Sequence, residues 1–434
     1  MNFTMSAFKT KLGFTFCFML IFAAIATAQL KTPNTGITPK AANDAPKDPV
    51  PTRKGETWTY SGIGGTYDDA KPFFPILQSK TTKTNVKGAD GKFIIDPKTK
   101  KPTQKDTTFI EEIDAFAAVQ KDGKWGYIRR DGKPLIPPKY YIANDFTNNY
   151  AVVALGTEVP SKENPDETEI KFQYGVIDRT GREVVPAKYD LMNNIIRDGI
   201  VTVTKLETQL SGFVEVATNK LIADFKYTQA HDFNDGMAAF ERVGKWGFID
   251  KTGKEVIPPQ YGKVYDFNEG LAKAYLIDKW GFIDKKGNLA IRYQYQDPGA
   301  SYGMFINGLA KVRLNNLEGW IDHGNNKRIT FKYAEARDFS EKMAAVKING
   351  KWGFINVFDK VVIQPQFAAA QDFKEGLAPA MQGNLWGFID KSGKFVISPR
   401  FNNVGERGFE RGIALVEKNG QNFYVDKTGK EYVN

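Results

Sequence analysis

Cysteine is almost absent from this chain of 434 residues: Cys17 is the single one. It lies in an apolar N-terminal stretch that reads as removable, so the mature chain has no disulfide, thiolate metal site or cysteine nucleophile. Histidine is scarce too, with only His231 and His323. A catalytic histidine needs a nucleophile and an orienting group, and neither stands in such a pattern. Both read as surface positions. No apolar run reaches the roughly 20 residues a spanning helix needs, and no glycine loop ends in the Lys-Ser or Lys-Thr that cradles phosphate. The expectation is a chain without enzyme activity, cofactor or metal.

What is there begins with an export signal. Lys9 and Lys11 form a basic start, Leu12 to Ile25 is apolar, and Ala26-Thr27-Ala28 is a small-residue cleavage site. This makes residues 1–28 a signal peptide and Gln29 the mature N-terminus, with no membrane span left after cleavage. Cys17 lies too early to be the first residue of a lipoprotein. The formal charge of +10 falls to +8 when Lys9 and Lys11 leave. That balance reads as solubility on a lysine-rich surface, the alternative being affinity for anionic envelope polymers. Nucleic acid is not expected, because no dense Lys/Arg run accompanies export. The expected location is secreted, periplasmic or at the cell surface.

Residues 29–57, rich in Pro, Thr, Lys and Asn, read as a flexible linker. Residues 58–108 read as a degenerate repeat or cap. There Phe73-Phe74-Pro75-Ile76-Leu77 suggests a short strand, Lys80 to Asp90 a loop, and Gly91-Lys92-Phe93-Ile94-Ile95-Asp96 a worn repeat strand. Residues 109–434 form a repeat array. Trp246-Gly247-Phe248-Ile249-Asp250 is followed 34 residues later by a copy beginning Trp280-Gly281, and a second pair, beginning Trp352-Gly353 and Trp386-Gly387, is again 34 apart. Trp125-Gly126 opens the series. Tyr174-Gly175, Gly212-Phe213, Glu318-Gly319-Trp320 and Asn422-Phe423 are worn copies, giving nine units from Trp125 onward. A fixed period of this size means one supersecondary unit copied and stacked.

Within a unit such as Gly270 to Phe305, short apolar segments alternate with turns. Asp250-Lys251-Thr252-Gly253 and its sisters read as hairpin turns; calcium would need more carboxylates. A connector carries an Asp-Phe pair whose Phe lies 13 residues before the Trp in four units, at Phe233, Phe267, Phe339 and Phe373. Its Asp is expected to cap the local turn. Trp246 and Phe248 point to one face of a strand, Gly247 and Ile249 to the other. A strand apolar on both faces lies between two other sheets. The Trp-Gly positions (Trp125, Gly126, Tyr174, Gly175, Trp246, Gly247, Trp280, Gly281, Trp352, Gly353, Trp386, Gly387) are therefore expected to build the repeat core. The Gly leaves room for a close neighbour. Ala238, Ala272, Ala344 and Ala378 are expected to make room for the indoles.

Gly244-Lys245-Trp246-Gly247-Phe248-Ile249-Asp250-Lys251-Thr252-Gly253-Lys254 resembles the signature of the WG-repeat family, also called KWG repeats. The resemblance covers about Phe109 to Val433 and implies an all-β tandem repeat of short β-meander units, commonly bacterial and often exported. It implies no activity and brings no catalytic residues. Two architectures remain open, propeller-like packing and an open β-solenoid array. Nine units exceed the usual four to eight propeller blades, and an array tolerates any count.

The Tyr174 unit follows Trp125 by 49 residues, about 15 more than the period. The extra length, Gly156–Lys171, holds Glu158, Glu163, Asp166, Glu167 and Glu169, the weak candidates for a contact region, since insertions in repeats fall on loops of one face. The function expected is an exported repeat scaffold binding a protein of the cell envelope. The first alternative is a cell-wall or surface polysaccharide, held by exposed aromatics such as Tyr140, Tyr141, Tyr293, Tyr295 or Tyr302. The second is a carbohydrate-active enzyme on a propeller-like fold. Oligomeric state is left open.

Overall fold

The computed structural model describes residues 49–54, 57–60, 63–85, 104–147, 149–161, 167–297 and 303–432, with backbone alone for residues 54, 63–65, 74–85 and 104–114. The expected signal peptide (residues 1–28), residues 29–48 of the expected linker and the worn copy expected at 91–96 lie outside them. Among the described residues every element is a strand and every pairing is antiparallel. Ten small sheets follow one another along the chain. They are numbered here as blades 1 to 10: 51–67, 69–140, 142–189, 191–227, 229–261, 263–295, 296–333, 335–367, 369–401 and 403–432.

Blade 5 shows the pattern. Its strands are Gln229–Ala230, Met237–Arg242, Lys245–Asp250 and Glu255–Tyr261, paired in that order. The two-residue first strand precedes the Asp-Phe connector and is an addition to the three strands legible in the sequence. Successive blades pack in a stagger. The third strand of one blade lies against the first strand of the next, and the fourth against the second. Strand Pro51–Lys54 lies against Gln421–Asp426 and Glu431–Tyr432. Val50 packs with Ile413 and Tyr432, and Trp58 meets Tyr424 edge-on at 6.0 Å between ring centroids. The ten sheets thus form a ring, a ten-bladed propeller, and the open solenoid is set aside. The blade beyond the nine repeat units is blade 1, residues 51–67, with Trp58-Thr59-Tyr60 on its middle strand; strands therefore begin inside the stretch read as linker.

The third strand is sandwiched as its pattern requires. Phe248 packs with Phe267 and Ala272 of blade 6, while Ile249 packs with Phe213 and Tyr227 of blade 4. The connector phenylalanine covers the third-strand aromatic of the preceding blade: Phe146 on Tyr127 at 5.0 Å, Phe267 on Phe248 at 4.7 Å and Phe373 on Phe354 at 4.9 Å between centroids.

The tryptophans are less central than expected. Trp280 is fully buried, but Trp125, Trp246, Trp352 and Trp386 are half-buried. The fully buried position is two residues on, at Phe248, Phe282, Phe354 and Phe388, where Trp320 also stands. Each indole faces an aromatic on the fourth strand: Tyr140, Tyr261, Tyr295, Phe367 and Phe401 lie opposite Trp125, Trp246, Trp280, Trp352 and Trp386. The alanines lie elsewhere. Ala238 pairs with Ile249, and Ala272 with Ile283.

The glycine after each Trp is set by a bulge. Trp246 pairs with Tyr261 and Phe248 with Ile257, so Pro258, Pro259 and Gln260 are crowded opposite Gly247. A Cβ there would collide with the Ile257 carbonyl oxygen and lie 2.8 Å from the Pro259 nitrogen. At Gly387 the same collision is with the Ile397 oxygen at 2.5 Å. The close neighbour is the blade's own outer strand. Prolines are tolerated in it because that strand is a sheet edge.

Candidate functional site

Meander topology puts equivalent turns on equivalent sides of the ring. The connectors and the third-to-fourth-strand turns share one face; the second-to-third-strand hairpin tips share the other. The connector face is spent on joining blades. Asp232 accepts hydrogen bonds from Asn193 Nδ2 at 2.6 Å and Thr202 Oγ1 at 3.0 Å, both in blade 4. Asp266 lies 2.7 Å from Nδ1 of His231 in blade 5. Asp372 accepts from Arg337 Nε of blade 8 at 2.7 Å. The connector aspartate therefore bridges to the blade before it and does not cap its own turn. Burial pushes the Asp232 carboxyl up, with the Asn193 and Thr202 hydrogen bonds opposing. Burial likewise raises Asp145, opposed by Lys71 and Arg407.

The acidic-Gly turns add a second set of links. Each joins a bridged pair such as Asn268 and Leu271, with Glu269 at φ 51° and Gly270 at φ 87°, the two left-handed positions of a tight hairpin turn. The acid accepts the N–H of the corresponding glycine one blade on: Gly270 to Asp235 at 2.6 Å, Gly308 to Glu269 at 2.9 Å, Gly412 to Glu375 at 2.9 Å. It also meets a cation in that blade's third turn, as Lys285 with Asp235 at 2.8 Å, Lys391 with Glu341 at 3.0 Å and Lys427 with Glu375 at 2.9 Å. His323 takes the same place, 3.5 Å from Glu269 and stacked on Phe305. His323 is exposed, as expected, whereas His231 is not the plain surface residue expected: it is largely enclosed, beside Asp266 and the Trp246 ring. The turn aspartates are ordinary caps. Desolvation of Asp250 is outweighed by hydrogen bonds from Thr252 and Lys254, which hold its carboxyl below the ordinary value.

Two lysines are buried between blades. Lys273 is 1% exposed, and its Nζ has no hydrogen-bond partner among the described residues. It sits 5.4 Å from the Trp280 ring centroid and 5.9 Å from that of Tyr265. Burial pushes its pKa down to about 7. Lys311 is bonded to Glu318 at 3.3 Å and to the Ala336 carbonyl, and Arg313 completes the pair at 2.8 Å from Glu318. The described residues hold no group of three or more His, Cys, Asp or Glu able to bind a metal. A cleft of about 250 Å³ between blades 1 and 2 is lined mainly by apolar side chains, among them Tyr67, Val119, Ile128 and Ile136.

The tip face differs. Most of its two-residue turns use residues suited to left-handed backbone, such as Asn349-Gly350 and Asn419-Gly420. Blades 5 and 6 place Val243 (φ 53°) and Ile277 (φ 49°) there. These β-branched side chains are strained at positive φ, yet they are 89% and 86% exposed. Leu206 at the blade 4 tip is 50% exposed. Beside them stands the acidic insertion of blade 3. It is no loop but a hairpin extension, with Tyr150–Pro160 paired to Thr168–Asp178 along its whole length. Glu158, Glu167 and Glu169 are exposed on it, near exposed Ile170; Glu163 and Asp166 lie outside the described residues. A second extended hairpin, Phe74–Asn85 with Gln104–Lys121, leaves blade 2 on the connector side, and its first strand runs into the stretch expected to be loop. The aromatics expected to be exposed are not: Tyr140 and Tyr295 are buried, Tyr141 and Tyr293 half-buried. Tyr302 is outside the described residues. The strained tips escaped sequence reading because their signal, Val-Gly or Ile-Asp where sisters have Asn-Gly, is visible only once the turns are aligned.

A family model described as WG containing repeat matches residues 125–156, 174–206, 217–246, 246–276, 280–317, 319–352, 352–386 and 386–421. No curated protein matches the chain. Among solved structures, a eukaryotic initiation factor is 11% identical, with a TM-score of 0.46 over 73% of this chain and 94% of that one. The dihydro-heme d1 dehydrogenase NirN is 11% identical, with a TM-score of 0.38 over 68% of this chain and 74% of that one. PorZ of Porphyromonas gingivalis, described as a surface component of the type-IX secretion system, is 9% identical, with a TM-score of 0.27 over 74% of this chain and 50% of that one. Nothing about this chain rests on these three likenesses.

Proposed function

Because this chain belongs to the WG containing repeat family, a family of tandem β-repeats, we propose that it is an exported, non-enzymatic scaffold that binds a protein of the cell envelope. The tip face of blades 3 to 6 is the contact surface. One observation carries this reading: Val243 and Ile277 are apolar, exposed and held at unfavourable φ on consecutive blades. A turn that needed only to turn would use Asn or Gly. Strain and exposed apolar surface together mark a position kept for contact. The acidic hairpin of blade 3 borders the arc and supplies charge for orientation and on-rate. The connector face, with its polar groups engaged between blades, offers less to a partner.

The test is capture of envelope extract on the chain from Gln29 onward, compared with Val243→Asn plus Ile277→Asn and with Glu158→Lys plus Glu169→Lys. The expected result is one stoichiometric protein retained by the wild type and lost at least tenfold with the tip variant, whose melting temperature is no lower than that of the wild type because the strain at positive φ is relieved. Equal retention by wild type and tip variant, or no protein retained by either, defeats the reading and turns attention to polysaccharide.

A further inference from the structure

Blade 2 carries the longest strand among the described residues, Gln104–Lys121. Phe74 pairs with Phe116 where Asn234 is bridged to Met237 in blade 5. The hairpin of Phe74–Asn85 with Gln104–Lys121 thus replaces a tight acidic-Gly turn. On one side, Gln104 to Phe116 pairs with Asn85 to Phe74. On the other side only Phe116 to Lys121 is paired, with Lys124–Arg129. From Gln104 to Asp114 that second edge has no partner strand among the described residues.

A two-stranded ribbon is marginal in water by itself, and an open edge offers its N–H and C=O groups to another strand. The outer strands of blades 5, 8 and 9 are blunted by Pro259, Pro365 and Pro399, which cannot donate to a ladder. Gln104 to Asp114 holds no proline, and Thr107-Thr108-Phe109-Ile110 at its centre are residues that favour strands.

The charges along this edge match those of its own copy. A strand meeting its copy across a two-fold axis normal to the sheet runs antiparallel to it, and each face stays on its own side. Lys105, Thr107, Phe109 and Glu111 share one face; Asp106, Thr108, Ile110 and Glu112 share the other. The register must therefore centre on a residue. Centred on Phe109, it sets Asp106 opposite Glu112, and like charges so placed destabilise a sheet. Centred on Thr107, it sets Lys105 opposite Phe109. Centred on Thr108, it sets Lys105 opposite Glu111, twice by symmetry, and opposite charges so placed stabilise a sheet. Within the hairpin the same two residues stand opposite neutral ones, Lys105 with Thr84 and Glu111 with Gln78. The other edge has no such match: from Ile76 to Asn85 it holds Lys80 and Lys83 and no acid.

We propose that Gln104 to Glu112 pairs with the same segment of a second copy, centred on Thr108, joining two hairpins into one four-stranded antiparallel sheet. About 23 Å of strand separates Thr108 from Ala115 at the ring, so the two rings stand about 46 Å apart along the sheet and do not collide. The hairpin leaves on the connector side, so the dimer keeps both tip faces open.

Sedimentation of the chain from Gln29 onward is expected to show a dimer. Lys105→Glu and Glu111→Lys should each weaken it about tenfold or more, and the two together should restore it, because the swap re-forms both pairs. A chain begun at Gln29 has no cysteine, so Thr108→Cys supplies a second readout. On mild oxidation it should cross-link to its own copy about tenfold faster than Thr81→Cys, its neighbour inside the hairpin, since only a residue on the axis lies within disulfide reach of itself. A monomer at every concentration, a dimer indifferent to the single variants, a double variant no tighter than the singles, or equal oxidation of the two cysteine variants overturns the proposal.

Discussion

Lys273 shows how one residue can set a pH dependence for the whole ring. Its ammonium has no acceptor among the described residues and faces Trp280, Tyr265 and, at longer range, Asp338, Asp297, Lys311 and Glu318. Its folded pKa of about 7 lies below the ordinary 10.5, so the folded chain holds fewer protons than the unfolded one between those values. Stability then rises with pH from about 7 to 10.5 and is lowest below 7, where the folded state carries the buried charge. Lys273→Met should remove that rise and be more stable than wild type at pH 6. Melting curves of the two proteins from pH 6 to 10 check this; parallel profiles would show that Lys273 does not titrate in that window. Gly247 is the opposite kind of residue, set wholly by geometry. Its need for hydrogen at Cα was legible from its place beside the largest side chain, but the cause, a proline bulge in the adjacent strand, was not.

At the scale of elements, the join between blades is the unit that repeats. The sequence shows Glu-Gly turns and Asp-Lys turns at constant intervals, and each alone looks like a solvated hairpin. Folding puts the acid of one blade against the backbone and the lysine of the next. Blade 7 has Asn307 in place of the acid, and blade 8 correspondingly has Val357 in place of the lysine. Glu341 holds the Gly376 N–H at 3.1 Å and Lys391 at 3.0 Å. Glu341→Ala should cost about 1–3 kcal/mol, since a charged acceptor leaves a backbone donor behind. Lys391→Met should cost under ~1 kcal/mol, because that ion pair is partly exposed. Urea denaturation of both variants separates the two; equal losses would mean the ion pair, not the backbone bond, dominates. The connector aspartates were misread as local caps for the same reason: their partners are 30–39 residues away in sequence.

For the whole molecule, closure changes the stability problem. An open array has two end units with uncovered faces and frays from them. In the ring, Val50 and Trp58 cover the last blade, so every blade has two neighbours. Hydrogen exchange should therefore give the same opening free energy for core amides of blade 10, such as Val416, and of blade 5, such as Phe240. Earlier exchange in blade 10 would show that the seam is weaker than the other joins.

The sequence by itself determined the repeat, its period, the sandwiched middle strand and the all-β class, because these follow from side-chain alternation and recurrence along the chain. It also placed the connector phenylalanines in the core by their fixed offset. It left ring and array undecided, since closure depends on small rotations summed over ten blades and on contacts between residues 50–58 and the last blade. It hid blade 1, whose Trp-Thr-Tyr strand lacks the glycine that marks the others. It gave no hint that Val243 and Ile277 are strained and exposed while Lys273 is buried. Those are properties of backbone angle and of neighbours from another blade, and only the tertiary structure assigns them.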